Sequence, residues 1–298
     1  MKRLFRLRPG WILATPAFAS LAFASCSVEP PPVTRMKLSQ AIEGKAITVL
    51  REGLRAAGEE DFWVSMHAAE GLTLAGLGHE VIEFLEPKLE TEKDARRLCG
   101  IARELVRAGK REPVAVLTEI LSRPDPYGHT HAAESLYKVD EVGDETVMRE
   151  RFENGGDIVL RLMSAAALAR QGDAAALAFL RESRDGADPD GLKISAWVLG
   201  ILGDESDIEP LRRRLADAPS PVIHGYIVNA LAALGDAEGL TLLARDLEDP
   251  DPAIRTYAAT FAGDARAYST QARLEAMLDD PFPDARVRAA QTLLQLSR

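Results

Sequence analysis

Residues 223–236 read IHGYIVNALAALGD, and residues 237–247 continue as AEGLTLLARDL. Apolar residues recur three or four positions apart in both segments, a spacing that predicts two amphipathic helices. Gly235 stands where a residue in the left-handed conformation would close the first helix. The carboxylate of Asp236 can then accept hydrogen bonds from the first free amides of the second helix. The stretch therefore predicts two short helices joined by a tight turn.

The same pattern recurs along the chain from about residue 38 onward. Its turns are marked by glycines at a nearly regular spacing, namely Gly78, Gly109, Gly143, Gly172, Gly203, Gly235 and Gly263. Five of these glycines are followed by an aspartate, at Asp144, Asp173, Asp204, Asp236 and Asp264. No segment shows the strict alternation of apolar and polar residues that is typical of a strand. The repeat indicates a stack of helix pairs.

These repeated units resemble the HEAT family, including its bacterial HEAT-like members. The resemblance covers nearly all of residues 37–298 and implies an all-α fold, a right-handed alpha-alpha superhelix (HEAT/ARM-type solenoid) of about eight helix pairs. Each pair would bury its apolar side against its neighbours. Such folds use a long concave face to bind proteins, peptides or extended ligands, so the family predicts recognition without specifying a partner.

Residues 1–25 have the features of an export signal. Residues 1–8 are basic, and residues 11–24 form an apolar run. A bilayer-spanning helix needs about 20 apolar residues, so this shorter run favours a signal peptide over a membrane anchor. We therefore predict that residues 1–25 are a removable signal.

The end of this signal resembles the lipobox of bacterial lipoproteins. Residues 22–26 read AFASC, which implies lipidation of Cys26 and a cell-envelope protein held to the membrane by that lipid alone. Phe23 replaces the usual leucine, and AFA at residues 22–24 is also an acceptable site for ordinary signal peptidase. A secreted or periplasmic soluble protein is therefore the alternative. Residues 26–36 contain three successive prolines and are predicted to be a tether.

Charge and cysteine content exclude several classes of function. The chain has a formal net charge of -10, and its four basic residues before position 26 belong to the predicted signal. Nucleic-acid binding requires clustered basic residues, so we expect no nucleic-acid partner. The second of the two cysteines, Cys99, stands among apolar residues and is predicted to be buried. There is no Gly-x-Ser-x-Gly motif and no glycine-rich phosphate loop, so no catalytic residue and no cofactor are predicted.

Polar residues occupy matching positions in repeats two to four. One aligned column holds His67, Gly100 and His131, and a second holds Glu70, Arg103 and Glu134. Residues three apart share one helix face, and neighbouring helices lie about 8 to 10 Å apart. Arg103 is therefore expected to reach both Glu70 and Glu134. The two histidines are expected to start roughly 20 Å apart, on either side of Gly100.

Two interpretations of these columns remain open. In the first, the acidic and basic residues form a salt-bridge ladder that sets the stacking register, and Gly100 permits close helix approach. In the second, they form the floor of a binding site on the concave face, with Trp63, Tyr127 and His129 near the rim. The second interpretation predicts a non-catalytic interaction module of the cell envelope that binds a protein or a polar ligand. Trp197 and Tyr226 are predicted to pack between helices.

An enzyme of the HEAT-like hydroxylase type is the alternative function. Deoxyhypusine hydroxylases bind two iron ions through several His-Glu dyads, whereas this chain has one such pair, His79-Glu80, in a predicted turn. Metal binding would then fall to the histidines and glutamates of the two columns. Ligands must lie about 2 Å from an ion, so this alternative requires a strongly curved solenoid.

Overall fold

Sixteen α-helices and no strand form the part of the chain that the computed structural model describes, which is residues 35–56, 58 and 61–298. This confirms the predicted all-α fold of eight helix pairs. The predicted signal peptide, most of the predicted tether and the proposed lipidation of Cys26 lie outside the described residues. Within the described residues, no helix combines the length and the apolar character needed to cross a bilayer.

The helices alternate between an outer and an inner layer. The outer helices are α1 (Gln40–Leu54), α3 (Gly78–Thr91), α5 (Val114–Ser122), α7 (Glu145–Asn154), α9 (Ala174–Asp185), α11 (Ile208–Ala216), α13 (Ala237–Asp246) and α15 (Gln271–Ala276). The inner helices are α2 (Phe62–Leu74), α4 (Ala95–Arg107), α6 (His129–Lys138), α8 (Ile158–Arg170), α10 (Pro189–Leu202), α12 (Pro221–Ala233), α14 (Pro252–Asp264) and α16 (Pro283–Leu296). Each inner helix packs against the inner helices on either side of it.

The two ends of the repeat array meet. Helix α16 packs against both α1 and α2, as well as against its predecessor α14. The backbone amide of Met36 donates to the carbonyl oxygen of Leu296 at 2.8 Å, and Nζ of Lys45 lies 2.6 Å from Oδ2 of Asp279. The sequence predicts a solenoid with a long concave face, and the structure curves until the first and last pairs touch. The eight inner helices therefore form a closed ring.

Aspartates begin four of the outer helices as the sequence predicts. Asp144 and Asp173 each accept hydrogen bonds from two backbone amides at the start of the next helix. Asp236 caps α13, and Asp204 caps the short 3-10 turn that leads into α11. Asp264 is the exception, because it is the last residue of α14 and caps no helix.

Three of the seven marker glycines do not close a helix in the left-handed conformation. Positive φ angles are found at Gly109, Gly143, Gly172 and Gly235. In contrast, Gly78 begins α3, Gly203 has a φ of -78°, and Gly263 lies inside α14. A Cβ at Gly263 would stand 2.8 Å from Oε1 of Gln295, so this glycine permits the close approach of α16. The residue in the left-handed conformation is Arg266 instead of Gly263. Helix α14 therefore continues as far as Asp264, which lies in the helix and not in the turn.

Candidate functional site

The ring encloses a cavity of about 850 Å³, and all eight inner helices contribute to its wall. Ten of its lining residues are acidic or basic: His67, Glu70, Arg107, Glu134, Lys138, Arg170, Asp264, Arg266, Asp284 and Arg288. Six are aromatic: Tyr137, Trp197, Tyr226, Tyr257, Phe261 and Phe282. Such a combination of charged and aromatic groups is typical of a site for a polar molecule.

Glu70 on α2 connects the first helix pair to the second and to the last through two arginines. Its Oε1 lies 3.1 Å from Nη2 of Arg107 on α4, and its Oε2 accepts a hydrogen bond of 2.8 Å from Nη1 of Arg288 on α16. Burial alone would raise the pKa of Glu70. The positive charges of Arg107 and Arg288 outweigh that effect and hold its pKa well below the ordinary value. Glu70 is therefore an ionised member of the ring seam.

Arg103 does not bridge Glu70 and Glu134, so that expectation is wrong. Its Nε donates at 2.6 Å to Oε1 of Glu104, and both residues are buried away from the cavity. Arg107 stands one helical turn later, where it faces the cavity and contacts both Glu70 and Glu104. The alignment of columns identified the correct helix, α4, but selected Arg103 in place of Arg107. The two arginines are four positions apart and share one helix face, so the alignment did not distinguish them.

Glu134 is paired within its own helix. Its Oε1 lies 2.7 Å from Nζ of Lys138, one turn further along α6. Burial would raise the pKa of Glu134, but the charges of Lys138 and Arg103 outweigh it and lower the pKa to about 2. Arg103 thus acts on Glu134 through its charge without bonding to it.

His67 is held by the last inner helix. Its Nδ1 lies 2.7 Å from Oδ1 of Asp284 at the start of α16. Burial, together with the charge of Arg288, lowers the pKa of His67 below its ordinary value. The imidazole is therefore neutral at pH 7, and Nδ1 must carry the hydrogen because an ionised carboxylate only accepts.

His131 and Gly100 serve the packing of the first three helix pairs, which contain the repeats numbered two to four in the sequence analysis. The ring of His131 stacks on Trp63 with centroids 5.5 Å apart and an angle of 16° between the planes. A Cβ at Gly100 would lie 3.2 Å from Cε1 of Phe62, so the glycine lets α2 and α4 approach closely. Neither Gly100, Trp63 nor His131 lines the cavity.

Tyr127 and His129 also lie outside the cavity wall. The hydroxyl of Tyr127 donates at 2.5 Å to Oδ2 of Asp94, the residue that caps α4. His129 is buried, with Nε2 3.0 Å from the carbonyl oxygen of Arg123. Of the nine candidate residues, His67, Glu70 and Glu134 line the cavity, and the other six are engaged elsewhere.

The aromatic wall of the cavity comes mainly from repeats that the sequence analysis did not select. Tyr137 and Trp197 meet edge to face at 5.4 Å. Tyr226 lies 5.2 Å from Tyr257 and 5.6 Å from Phe261. Trp197 and Tyr226 do contact neighbouring helices as predicted, but they also face the cavity. Nothing in their helical spacing distinguishes these two roles.

Asp264 was also missed, because its Gly-Asp context predicts a helix cap. It lines the cavity with its side chain exposed and, among the described residues, neither accepts a hydrogen bond nor forms an ion pair. Desolvation by the surrounding walls, followed by the negative charge of Glu70, raises the pKa of Asp264 to about 6. The one feature of the sequence that sets this turn apart is the spacing from Gly235 to Gly263, which is the shortest between successive marker glycines.

The structure gives no support to a metal centre at the four residues of the enzyme alternative. Across residues 35–56, 58 and 61–298, no three His, Cys, Asp or Glu side chains are placed to hold an ion. Glu70 and Glu134 are paired with basic side chains, His67 contacts a carboxylate, and His131 stacks on Trp63.

Residues 208–295, which form the last three helix pairs, match the family model for HEAT repeats. These three helix pairs are HEAT repeats. The earlier pairs, α1 to α10, show the same alternation of outer and inner helices as the matched region. No curated protein sequence matches the chain significantly.

Solved structures similar to this chain include two enzymes and an engineered protein. Human deoxyhypusine hydroxylase in complex with glycerol is 16% identical, with 86% of this chain and 97% of that chain covered and a TM-score of 0.41. The complex of CpcE and CpcF of phycocyanin lyase from Nostoc sp. PCC7120 is 19% identical, with coverage of 90% and 98% and a TM-score of 0.33. An engineered protein is 17% identical, with coverage of 87% and 97% and a TM-score of 0.25.

Proposed function

We propose that this protein is a non-catalytic binding module of the cell envelope that holds a polar small molecule inside its ring. The observation that carries the proposal is the cavity of about 850 Å³ with charged and aromatic walls. Sites for small molecules commonly measure about 300 to 1,000 Å³ and combine apolar walls with a few polar groups.

Ring closure favours a small molecule over a folded protein as the occupant. In an open solenoid the concave face is a groove that a protein domain can enter. Here the first and last inner helices are joined by the contacts of Glu70 with Arg288 and of His67 with Asp284. A small molecule or one extended segment fits within such an enclosed wall, whereas a folded domain does not.

Filling the cavity is expected to abolish binding. Thr260 lines the cavity, and its hydroxyl donates to the carbonyl oxygen four residues earlier, as does that of the exposed outer residue Thr241. In equilibrium dialysis against a metabolite extract of the expressing cells, the wild type should enrich one or more compounds. Thr260→Trp should lose that enrichment because the indole occupies the cavity, and the matched control Thr241→Trp should retain it.

Circular dichroism and thermal unfolding establish that both tryptophan variants are folded. Enrichment that persists in folded Thr260→Trp would contradict a site inside the ring. Absence of any enriched compound in the wild type would contradict the binding of a small molecule.

The envelope location is a second part of the proposal, and the AFASC pattern at residues 22–26 supports it. We expect a fatty-acid probe to label the wild type in cells and label to be lost in Cys26→Ala. Cys99→Ala is the matched control, since Cys99 is the other cysteine and is buried. It should remain labelled. An unlabelled wild type whose mature chain begins at Ser25 would instead indicate a secreted protein.

A further inference from the structure

The cations of the cavity wall have partners, with one exception, and one carboxylate has none. Four basic residues are each matched with a carboxylate, in the pairs Arg107 with Glu104, Arg288 with Glu70, Lys138 with Glu134, and Arg170 with Asp140. Among the described residues Asp264 has no such partner, although it faces the same cavity. Arg266, two positions beyond it, also lines the cavity and forms no ion pair in the described chain, and both side chains are exposed. The wall therefore presents one carboxylate and one guanidinium without partners; the carboxylate belongs to α14, whereas Arg266 lies beyond the end of that helix.

The aromatic residues of the cavity wall also fall into two groups, one in contact with protein cations and one without such contact among the described residues. The guanidinium of Arg170 lies 5.3 Å from the ring centre of Tyr137, and Nζ of Lys138 lies 5.1 Å from that of Trp197. These two rings already hold protein cations. No such cation from the described residues lies over Tyr226, Tyr257 or Phe261, which form a second cluster across α12 and α14.

Asp264 and the aromatic cluster that has no cation over it are neighbours. Tyr257, Phe261 and Asp264 are spaced i, i+4 and i+7 on α14, so they share one face of that helix. Tyr226 packs against both aromatic members from the adjacent helix α12. A negative charge and a cluster of π faces therefore meet on one side of the cavity.

We propose that the cavity binds an organic ammonium ion, with Asp264 as its counter-ion and Tyr226, Tyr257 and Phe261 as its aromatic wall. This inference rests on the proposed function and specifies the class of its small molecule. Aromatic faces attract ammonium groups through their quadrupoles, and the attraction is stronger at sites removed from water. On the face of α14 that carries the rings, an anion is disfavoured because Asp264 would repel it. Arg288, Lys138 and Arg170 are already paired, and the unpaired Arg266 lies beyond the end of the helix.

Choline and its uncharged carbon isostere, 3,3-dimethyl-1-butanol, test the proposal by isothermal titration calorimetry with the full mature chain. Choline should bind the wild type at least about tenfold more tightly than the alcohol, because only choline carries the charge. Asp264→Asn should weaken choline binding by at least about tenfold and leave binding of the alcohol unchanged. The control is Asp217→Asn, an exposed aspartate that follows the end of outer helix α11, and it should bind choline as the wild type does.

The pH dependence supplies a second measurement. Desolvation by the cavity walls, followed by the charge of Glu70, raises the pKa of Asp264. The charges of Arg288, Lys138 and Arg170 lower it, and the resulting pKa is about 6. Choline binding should therefore weaken as the pH falls through about 6, since protonation removes the counter-ion. This loss should be absent from Asp264→Asn.

Two results would overturn the ammonium proposal. One is equal affinity of the wild type for choline and for the alcohol, and the other is undiminished choline binding by folded Asp264→Asn. If choline fails to bind while a compound is still enriched by the wild type and lost in Thr260→Trp, the ammonium inference fails and the proposed function stands. If choline does not bind and the wild type enriches no compound, both the ammonium inference and the proposed function fail.

Discussion

Glu104→Gln is expected to lower the free energy of unfolding by about 3 to 5 kcal/mol, because it leaves two buried arginines without their shared carboxylate. Glu104 is fully buried and pairs with Arg103 at 2.6 Å and also with Arg107. Arg107 in turn contacts Glu70 at the cavity wall. Urea-induced unfolding followed by circular dichroism measures the effect.

A half-exposed glutamate of the neighbouring outer helix provides the control for this substitution. Glu86 lies 2.7 Å from Lys110, and both side chains contact solvent. Exposed ion pairs contribute about 1 kcal/mol or less, so Glu86→Gln should change the unfolding midpoint little. If Glu104→Gln and Glu86→Gln lose equal free energies of unfolding, burial of Glu104 does not explain the cost of its substitution.

Gly53→Leu is expected to separate the two ends of the ring. A Cβ at Gly53 in α1 would lie 2.8 Å from Cγ2 of Val287 in α16 and 3.0 Å from Cβ of Ala68 in α2. Overpacking of this kind typically costs about 1 to 3 kcal/mol, and here it falls on the contact between the first and last repeats. Hydrogen–deuterium exchange should accelerate in α16, which lies at the opposite end of the sequence.

Gly44→Leu is the matched control within the same helix. A side chain at Gly44 would meet nothing within 4 Å, so the substitution should stabilise α1 by about 0.5 to 1 kcal/mol through helix propensity. Exchange in α16 should stay at the wild-type rate. If Gly53→Leu loses stability without faster exchange in α16, the ring contact is not where the strain acts.

The helices and most of their caps could be predicted because their causes are local. The apolar spacing around Gly235 and the carboxylate of Asp236 act over a short stretch of chain, and the structure confirms both. Ring closure depends instead on the rotation accumulated over eight pairs. A small change of angle in each pair decides whether α1 meets α16, and no single residue specifies that sum.

The candidate site could be predicted in part for a related reason. Glu70 and Glu134 both line the cavity because the sequence HAAE, at residues 67–70 and 131–134, occupies equivalent positions on two inner helices. His67 also lines the cavity, whereas its equivalent His131 stacks on Trp63. The choice between Arg103 and Arg107 depends on one helical turn, which an alignment of repeats does not resolve. Asp264 enters the cavity because the turn after α14 is displaced towards Arg266, and that displacement follows from the packing of α14 on α16.

The hydrogen bond between Met36 and Leu296 bears on how the chain folds. A linear repeat array makes contacts only between neighbours, so its end repeats fray first and folding can start anywhere and spread. Here residues separated by almost the whole chain must meet, which raises the contact order and slows the final step of folding. A ring of repeats has no terminal unit to fray, so local opening anywhere must break two interfaces at once.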